Sequence, residues 1–372
     1  MPRLTPSMHI VHCIARLNDG GPARVVAELA MGCSAAGHQV TVLSGQVGDD
    51  ERDLTPELVA TGIAVETLPR LQRRPDPWCD ALALIELRRR LARLRPSLVH
   101  THTAKAGLLG RLAARSLGLP CLHSYHGHVL HGYWRPGINL ALRSIERAAA
   151  RGAHCHSLTP SLVTELRDRH HVGLPWRWHC LPVPVRPVVP TEAAWQPAPG
   201  PLRLGFLGRL APVKDIGLWL MVAAAVAKQR PIHAVICGDG AQRAWAEQRA
   251  RDLGLTATFT GMVPAAEALG AMDILVMSSR NEGMPLVAVE AAGAGIPVVA
   301  PRVGGLVDLA KAGLVYGCPR RVDALSAAIG LLVDDKHLSQ RHIKRAQQEA
   351  CKYWPEKVVP SYLATYHNLI HV

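Results

Sequence analysis

From one end of the chain to the other, short runs of β-branched and aliphatic residues alternate with longer amphipathic stretches. In the first half, residues 9–14, 39–43, 63–67, 97–101 and 121–125 read as strands, and residues 23–36, 81–95 and 104–117 as helices. The second half repeats the scheme, with strands over 202–207, 233–237, 257–260, 273–277 and 297–300. Strands separated by helices of this length cannot pair as hairpins. They require right-handed crossovers and therefore a parallel sheet covered on both faces.

Two such sheets are expected. At 372 residues the chain exceeds the size at which one core keeps growing. The pattern is also broken once, where Pro182, Pro184, Pro187 and Pro190 recur in a stretch that continues to Pro201. Prolines so placed continue neither a helix nor a central strand, so this is the linker. The predicted architecture is α/β, two doubly wound Rossmann-like domains facing each other across a cleft. Residues 1–185 form the first, 186–353 the second, and a helix over 354–372 crosses back to the first.

Composition narrows the function classes. With 48% hydrophobic and 19% charged residues the chain is a folded globular one. Its longest apolar run, residues 218–227, is half of what a membrane-spanning helix needs. No basic segment followed by an apolar stretch and a small-residue cleavage site opens the sequence, which predicts a cytoplasmic protein. Nine cysteines without a C-x-x-C pair read as reduced thiols. The net charge of +13 is uneven: +8 falls within residues 70–115. Such a segment suits phosphates or an anionic membrane surface, and equally a solvated basic face without a partner. In the helix predicted over 81–95, Leu84, Leu87, Leu91 and Leu94 form the docking stripe, and Arg88, Arg89 and Arg93 lie outside it, with Arg70, Arg73, Arg74 and Trp78 nearby. With 4% aromatic residues there are too few stacking platforms for nucleic-acid binding.

Chemistry in open α/β sheets sits in loops after strands. Three such loops stand out. In Ser278-Ser-Arg-Asn-Glu-Gly-Met-Pro-Leu-Val-Ala-Val-Glu290 a strand ends, a Glu-Gly turn follows, and a helix is predicted to start near Pro285, a favoured first-turn residue. Free N–H groups over Met284 to Leu286 suit a phosphate. Glu282 and Glu290 are carboxylates able to hold hydroxyls; read alone, Glu290 equally suits the cap of a surface helix. In Gly208-Arg-Leu-Ala-Pro-Val-Lys-Asp215, Arg209 follows a strand and Lys214 is predicted to open the next helix. Two cations there suit a diphosphate leaving group. In Asn18-Asp-Gly-Gly-Pro22, Gly20 and Gly21 allow close backbone approach and positive φ directly before a helix. His154-Cys-His156, His170-His171 and His179-Cys180 fit no zinc-ligand spacing, so no metal is predicted.

The set Gly208-Arg209…Lys214, Cys237-Gly-Asp-Gly240, Glu282-x7-Glu290 and Gly304-Gly305 resembles the retaining, metal-independent glycosyltransferases of the GT-B fold, family four, group 1. The resemblance spans nearly the whole chain. His100-Thr-His-Thr-Ala-Lys-Ala-Gly-Leu-Leu-Gly-Arg-Leu-Ala114 with His126-Gly-His-Val-Leu-His-Gly-Tyr133 is similar to the branch that builds bacterial surface polysaccharides and lipid-linked oligosaccharides.

The resemblance implies a role for each residue. Arg209 and Lys214 would hold the donor diphosphate and Glu282 would lie near the transferred sugar. Gly283, Met284, Pro285 and Leu286 would form the phosphate-facing helix tip, and Glu290 would bind the ribose hydroxyls. Gly20 and Gly21 would let the first domain close on the diphosphate, His126 would face the reacting centre, and Gly240 and Val263 would border the base. It further implies a nucleotide diphosphate sugar as co-substrate, with UDP favoured over GDP-mannose, no cofactor, and a lipid-linked hydroxyl acceptor at the inner membrane face. A small aminocyclitol acceptor, or 2-epimerisation of a nucleotide sugar, are the alternatives. The chain departs from the family at three places: Cys180-Leu-Pro-Val-Pro184 replaces an Ile-Pro-Asn-Gly-like turn, Asp19 precedes Gly20, and the segment after Gly305 is short.

Overall fold

A computed structural model describes residues 7–48, 51–72, 76–127, 136–189 and 200–371. Arg73, Arg74, linker residues 190–199 and the His128–Tyr133 part of the histidine motif lie outside them. The chain divides into two compact units, Met1–Pro184 with Pro355–Val372, and Val185–Trp354.

The first unit carries a seven-stranded sheet, β1 (His9–Ile14), β2 (Gln39–Ser44), β3 (Ala64–Thr67), β4 (Leu98–His102), β5 (Cys121–Tyr125), β6 (His154–Ser157) and β7 (Trp178–Cys180), in the order β3-β2-β1-β4-β5-β6-β7. Every pairing is parallel. β4 and β5 are buried along their whole length, so their polar residues His100, Thr101, His102, His123 and Ser124 must find hydrogen-bond partners inside the protein. Helix Gly21–Ala35 covers one side with Val25, Val26 and Leu29, and Pro22 stands in its first turn. Helix Pro77–Leu94 starts four residues before the predicted boundary because the Asp76 carboxylate accepts from the Trp78 and Cys79 N–H groups. Its buried residues are Ala83, Leu87 and Leu91, with Leu84 and Leu94 packed at the edge. Helix Pro355–Ile370 closes this same unit, with Tyr362 and Tyr366 fully buried against histidines of the sheet.

The second unit is a six-stranded parallel sheet, β8 (Leu202–Leu207), β9 (Ile232–Cys237), β10 (Ala257–Gly261), β11 (Ile274–Val276), β12 (Val298–Pro301) and β13 (Tyr316–Cys318), ordered β10-β9-β8-β11-β12-β13. Leu204, Phe206, Trp219, Leu220 and Ile329 form the centre of one core. In both sheets the chain reverses its direction of travel at the first strand, between β1 and β4 and between β8 and β11, and this is where an open α/β sheet leaves a crevice at its carboxyl edge. Among the described residues no helix is long and apolar enough to cross a membrane.

Candidate active site

The loop after β8 reaches the switch point of the second sheet and is bonded to its neighbours on both sides. Toward β9, the Gly208 N–H donates to the Cys237 carbonyl (3.0 Å), the Leu210 N–H to that of Asp239 (2.8 Å), and the Gln242 N–H to that of Leu210 (3.2 Å). Gly240 has φ +153°, and a Cβ there would stand 2.5 Å from the Leu210 carbonyl oxygen, so the 208–211 and 238–242 loops fit only with glycine at this place. The Gly238 N–H donates to the Gly261 carbonyl at 2.7 Å, which brings the loop carrying Val263 to the same edge.

Toward β11, the Arg280 N–H donates to the Val213 carbonyl (2.8 Å) and Ser278 Oγ to that of Lys214 (2.8 Å). This pairing places Lys214 Nζ 2.5 Å from Glu282 Oε1, which also accepts from Ser279 Oγ at 2.6 Å. Lys214 does not open a helix: Asp215 follows it in the left-handed region (φ +50°) and caps helix Ile216–Ala227 through the Leu218 N–H. Asp215 also pairs with Arg280 (3.1 Å) and with Arg320, whose Nε reaches the Ser278 and Ser279 carbonyls. A cation and a carboxylate 68 residues apart in sequence are therefore fixed by bonds within and between the two loops. The Arg209 side chain is exposed, and its guanidinium has no hydrogen-bond or ion-pair partner among the described residues.

The Glu282 turn is held from its other side. The Glu282 carbonyl accepts from the Gly305 N–H at 2.9 Å, and Gly304, at φ +49°, packs so closely that a Cβ would lie 2.1 Å from that same oxygen. No loop follows Gly305, which is itself the cap of helix Leu306–Ala312. Helix Leu286–Gly293 starts one residue later than predicted, because Pro285 is extended (φ −75°, ψ 113°) and occupies the cap position. Since Pro285 has no N–H, the predicted run of donors becomes two pairs, Gly283 with Met284 and Leu286 with Val287. None of the four finds an acceptor among the described residues. Glu290 sits on the second turn of this helix, 9% exposed.

The remaining predicted residues, Gly20, Gly21 and His126, belong to the first unit. Gly20 caps helix Gly21–Ala35 in an extended conformation (φ −131°), and Gly21 is helical, so neither uses the positive φ that was expected. Asp19 does not stand there as a bare negative charge: Arg24 lies 2.6 Å away and Arg52 3.7 Å. His126 immediately follows β5, half-buried, with Nε2 3.0 Å from His102 Nδ1. Burial pushes its imidazole down to about 4, so the ring is neutral at pH 7.

Sequence reading missed Ser279, Asp215 and Arg320 in the second unit, and His12 and His102 in the first. For the histidines the signal was present: His100-x-His102 is an i, i+2 pair on one face of a strand, and His12 stands between the apolar residues Val11 and Cys13 of β1. The parallel register sets His12 beside His100. The ring nitrogens of His12, His100 and His102 come within 4.8 Å of one another, a grouping no linear Cys/His spacing discloses. His154 instead bonds His179 across β6 and β7 at 3.1 Å.

Comparison with known proteins agrees with this geometry. Residues 191–349 match the family described as glycosyl transferases group 1, and residues 19–187 match glycosyltransferase family 4. A GDP-mannose-dependent alpha-mannosyltransferase of Mycobacterium tuberculosis is 31% identical over 346 residues, 86% of this chain and 85% of the relative. The Escherichia coli UDP-Gal:alpha-D-GlcNAc-diphosphoundecaprenol alpha-1,3-galactosyltransferase is 27% identical over 66% of this chain and 67% of the relative. The solved structure of Anabaena HepE in complex with UDP-glucose superposes with a TM-score of 0.79 over 97% of this chain and 100% of that one, at 19% identity, which speaks to the fold alone. With its two parallel-sheet, Rossmann-like units and these two family matches end to end, the chain belongs to the group 1 glycosyltransferases of family 4 and is an enzyme that transfers sugars.

Proposed function

We propose that the second unit binds a nucleotide diphosphate sugar, and that the enzyme transfers its hexose with retention to a hydroxyl of a lipid-linked saccharide. The observation that carries the reading is the Lys214–Glu282 pair, set at the switch point between β8 and β11 and followed within four residues by a helix tip with unpaired N–H groups. An ammonium has three hydrogens and Glu282 takes one, so two remain for phosphate oxygens. Arg209, in the same loop, supplies a planar fork matched to a diphosphate. As the sugar–phosphate bond breaks, negative charge grows on the leaving group. Cations and N–H dipoles already in place stabilise it without reorganising.

In this reading Glu282 turns from Lys214 to the transferred sugar once phosphate takes over the ammonium, and Glu290 holds the ribose hydroxyls. The loops of Gly240 and Val263 border the base. Retention follows from front-face attack, in which a leaving phosphate oxygen takes the acceptor proton and no protein base is required. UDP-linked hexose is the favoured donor, in line with the ligand of HepE and with the galactosyltransferase relative. GDP-mannose is the second reading, favoured by the 31% identical mannosyltransferase. The galactosyltransferase relative also supports the lipid-diphosphate acceptor.

A membrane-facing surface fits that acceptor. On helix Pro77–Leu94, Trp78, Leu82 and Ile85 are exposed (83%, 44% and 47%) beside the exposed Arg88 and Arg89. An aromatic and aliphatic stripe edged by cations suits an anionic bilayer surface. Arg93 is instead tied to Glu66 by two bonds of 2.8 and 2.9 Å.

The test is incubation with UDP-glucose, UDP-galactose, UDP-N-acetylglucosamine and GDP-mannose, each with and without an undecaprenyl-diphosphate sugar. Transfer to the lipid with the anomeric configuration of the donor is expected. An epimerised free nucleotide sugar without transfer, or binding with neither product, would overturn the proposal.

A further inference from the structure

We infer that His12, His102 and His126 form one chain of imidazoles locked in a single set of tautomers, each ring protonated on Nδ1, so that His126 offers a hydrogen-bond donor at the carboxyl end of β5. The inference rests on what the family resemblance implies for His126, that it faces the reacting centre. It deepens that reading by making His12 and His102 its positioning residues.

The geometry leaves two arrangements. His12 Nδ1 lies 3.1 Å from His102 Nε2, and His102 Nδ1 lies 3.0 Å from His126 Nε2. Each contact needs one hydrogen, and a neutral imidazole carries one. If His102 is protonated on Nδ1, it donates to His126 and must accept from His12, so all three rings are Nδ1–H. If it is protonated on Nε2, all three are Nε2–H. Any mixture leaves a contact with two hydrogens or none. The rings are neutral because burial lowers them, His12 to about 3, His126 to about 4, and His102 well below the ordinary value.

The buried end decides between the two. His12 is fully buried and its Nε2 has no partner among the described residues. The all-Nε2–H arrangement would leave an N–H donor stranded there, a rarer and costlier defect than an unpaired ring lone pair. The all-Nδ1–H arrangement also puts the N–H of His126 on the ring nitrogen not engaged by His102, a donor suited to oxygen atoms of a phosphorylated ligand. Because His12 Nε2 has no acceptor beyond it among the described residues, no proton can pass inward along the chain. His126 therefore donates a hydrogen bond and does not act as a base, in keeping with a transfer that draws its base from the leaving phosphate.

The neighbouring chain shows how such a network is fixed when its end is satisfied. His156 Nε2 donates to the Leu181 carbonyl (3.1 Å), so its Nδ1 accepts from Ser124 Oγ (2.6 Å). Ser124 accepts from His100 Nε2 (2.7 Å), and His100 Nδ1 accepts from the Tyr366 hydroxyl (2.6 Å). Both nitrogens of His100 and both of His102 are thus engaged. A cation drawn to the His12, His100 and His102 group would have to break bonds the protein already makes.

Nitrogen-15 NMR of the histidine-labelled parent protein reads the tautomers directly. The expected spectrum has a pyrrole-type Nδ1 and a pyridine-type Nε2 on His126, and His102→Phe reverses them as the ring reverts to the Nε2–H form usual in water. His102→Asn, whose amide nitrogen can stand near the Nδ1 position and donate, retains the parent pattern. In transfer assays His102→Phe loses at least tenfold in kcat with donor KM within threefold, and His102→Asn recovers most of it. A protonated Nε2 on His126 in the parent overturns the inference whether or not any variant folds. So does one-to-one Zn(II) uptake that shifts the His12, His100 and His102 signals together. Full activity in His126→Ala would overturn the role of His126 in transfer while leaving the tautomer result standing, which separates the two claims.

Discussion

Replacing Lys214 with methionine keeps the length and apolar stem of the side chain and removes only the ammonium. Two losses follow, and they can be measured apart. In the free protein Glu282 loses the cation 2.5 Å from Oε1 and retains Ser279 Oγ. Exposed pairs contribute about 0–1 kcal/mol, and breaking a buried pair costs about 3–5 kcal/mol. With Lys214 25% and Glu282 10% exposed, the pair falls between, and about 2 kcal/mol of stability should go. Glu282→Gln in the same background removes the stranded charge and should restore roughly half of that loss. In catalysis the missing ammonium no longer meets the charge growing on the diphosphate, a deficit of about 2.7–4 kcal/mol, or 10²–10³ in kcat. The nucleoside diphosphate already carries charge before reaction, so its affinity should also fall by roughly tenfold. Urea denaturation, calorimetric titration with UDP and GDP, and initial rates of transfer measure the three effects. The double variant should regain part of the lost stability and remain inactive. A Lys214→Met enzyme with kcat within threefold of the parent would refute the placement of the leaving group.

Other substitutions probe the surrounding structure. Arg209→Ala should leave urea stability unchanged, because the side chain is exposed and unpaired among the described residues, while kcat/KM falls by roughly 10²-fold. Gly304→Ala forces a Cβ to 2.1 Å from the Glu282 carbonyl at a left-handed φ; a loss of about 1–3 kcal/mol in denaturation, with displacement of the Glu282 turn and collapse of activity, is expected. Arg88→Ala with Arg89→Ala should weaken sedimentation with anionic vesicles by about 2 kcal/mol, near thirtyfold, and leave binding to neutral vesicles unchanged. Stability should be flat from pH 8 to 7 and fall below pH 6.5. His12 and His156 are buried neutral with values near 3, so between their ordinary and folded values the unfolded chain binds more protons. Each then removes roughly 1.4 kcal/mol per pH unit until about pH 3, and a urea midpoint unchanged between pH 7 and 5 would contradict their burial.

Most strand positions and the identity of the chemistry-bearing loops were legible because hydrophobic period, glycine and proline are local signals, whereas the three-residue edge strands β7 and β13 are too short to carry a period and were not read. Boundaries moved where a cap decided them: Asp76 extends a helix backward, Asp215 delays one past Lys214, and Pro285 takes the cap and not the first turn. Arg209, Lys214 and Glu282 could be named from their loops, yet the contact between Lys214 and Glu282 depends on β8 lying beside β11, which no local pattern encodes. Arg320 was invisible for the same reason, since its partner Asp215 is 105 residues away in sequence. The histidine network needed strand register as well as strand order, because His12 lies on β1, His102 on β4, and His126 directly after β5.

The helix Pro355–Ile370 belongs to the unit built mainly from the first 184 residues. Tyr362 and Tyr366 supply hydroxyls to His156 and His100, so the amino-terminal sheet holds incomplete polar bonds until that helix arrives. A ribosome therefore delivers the pieces in an inverted order: the carboxyl-terminal sheet is contiguous and can mature as it emerges, while the part synthesised first must wait for the part synthesised late. A nascent chain stalled before residue 355 should present a half-finished amino-terminal fold, with its buried imidazoles open to water and to chaperones.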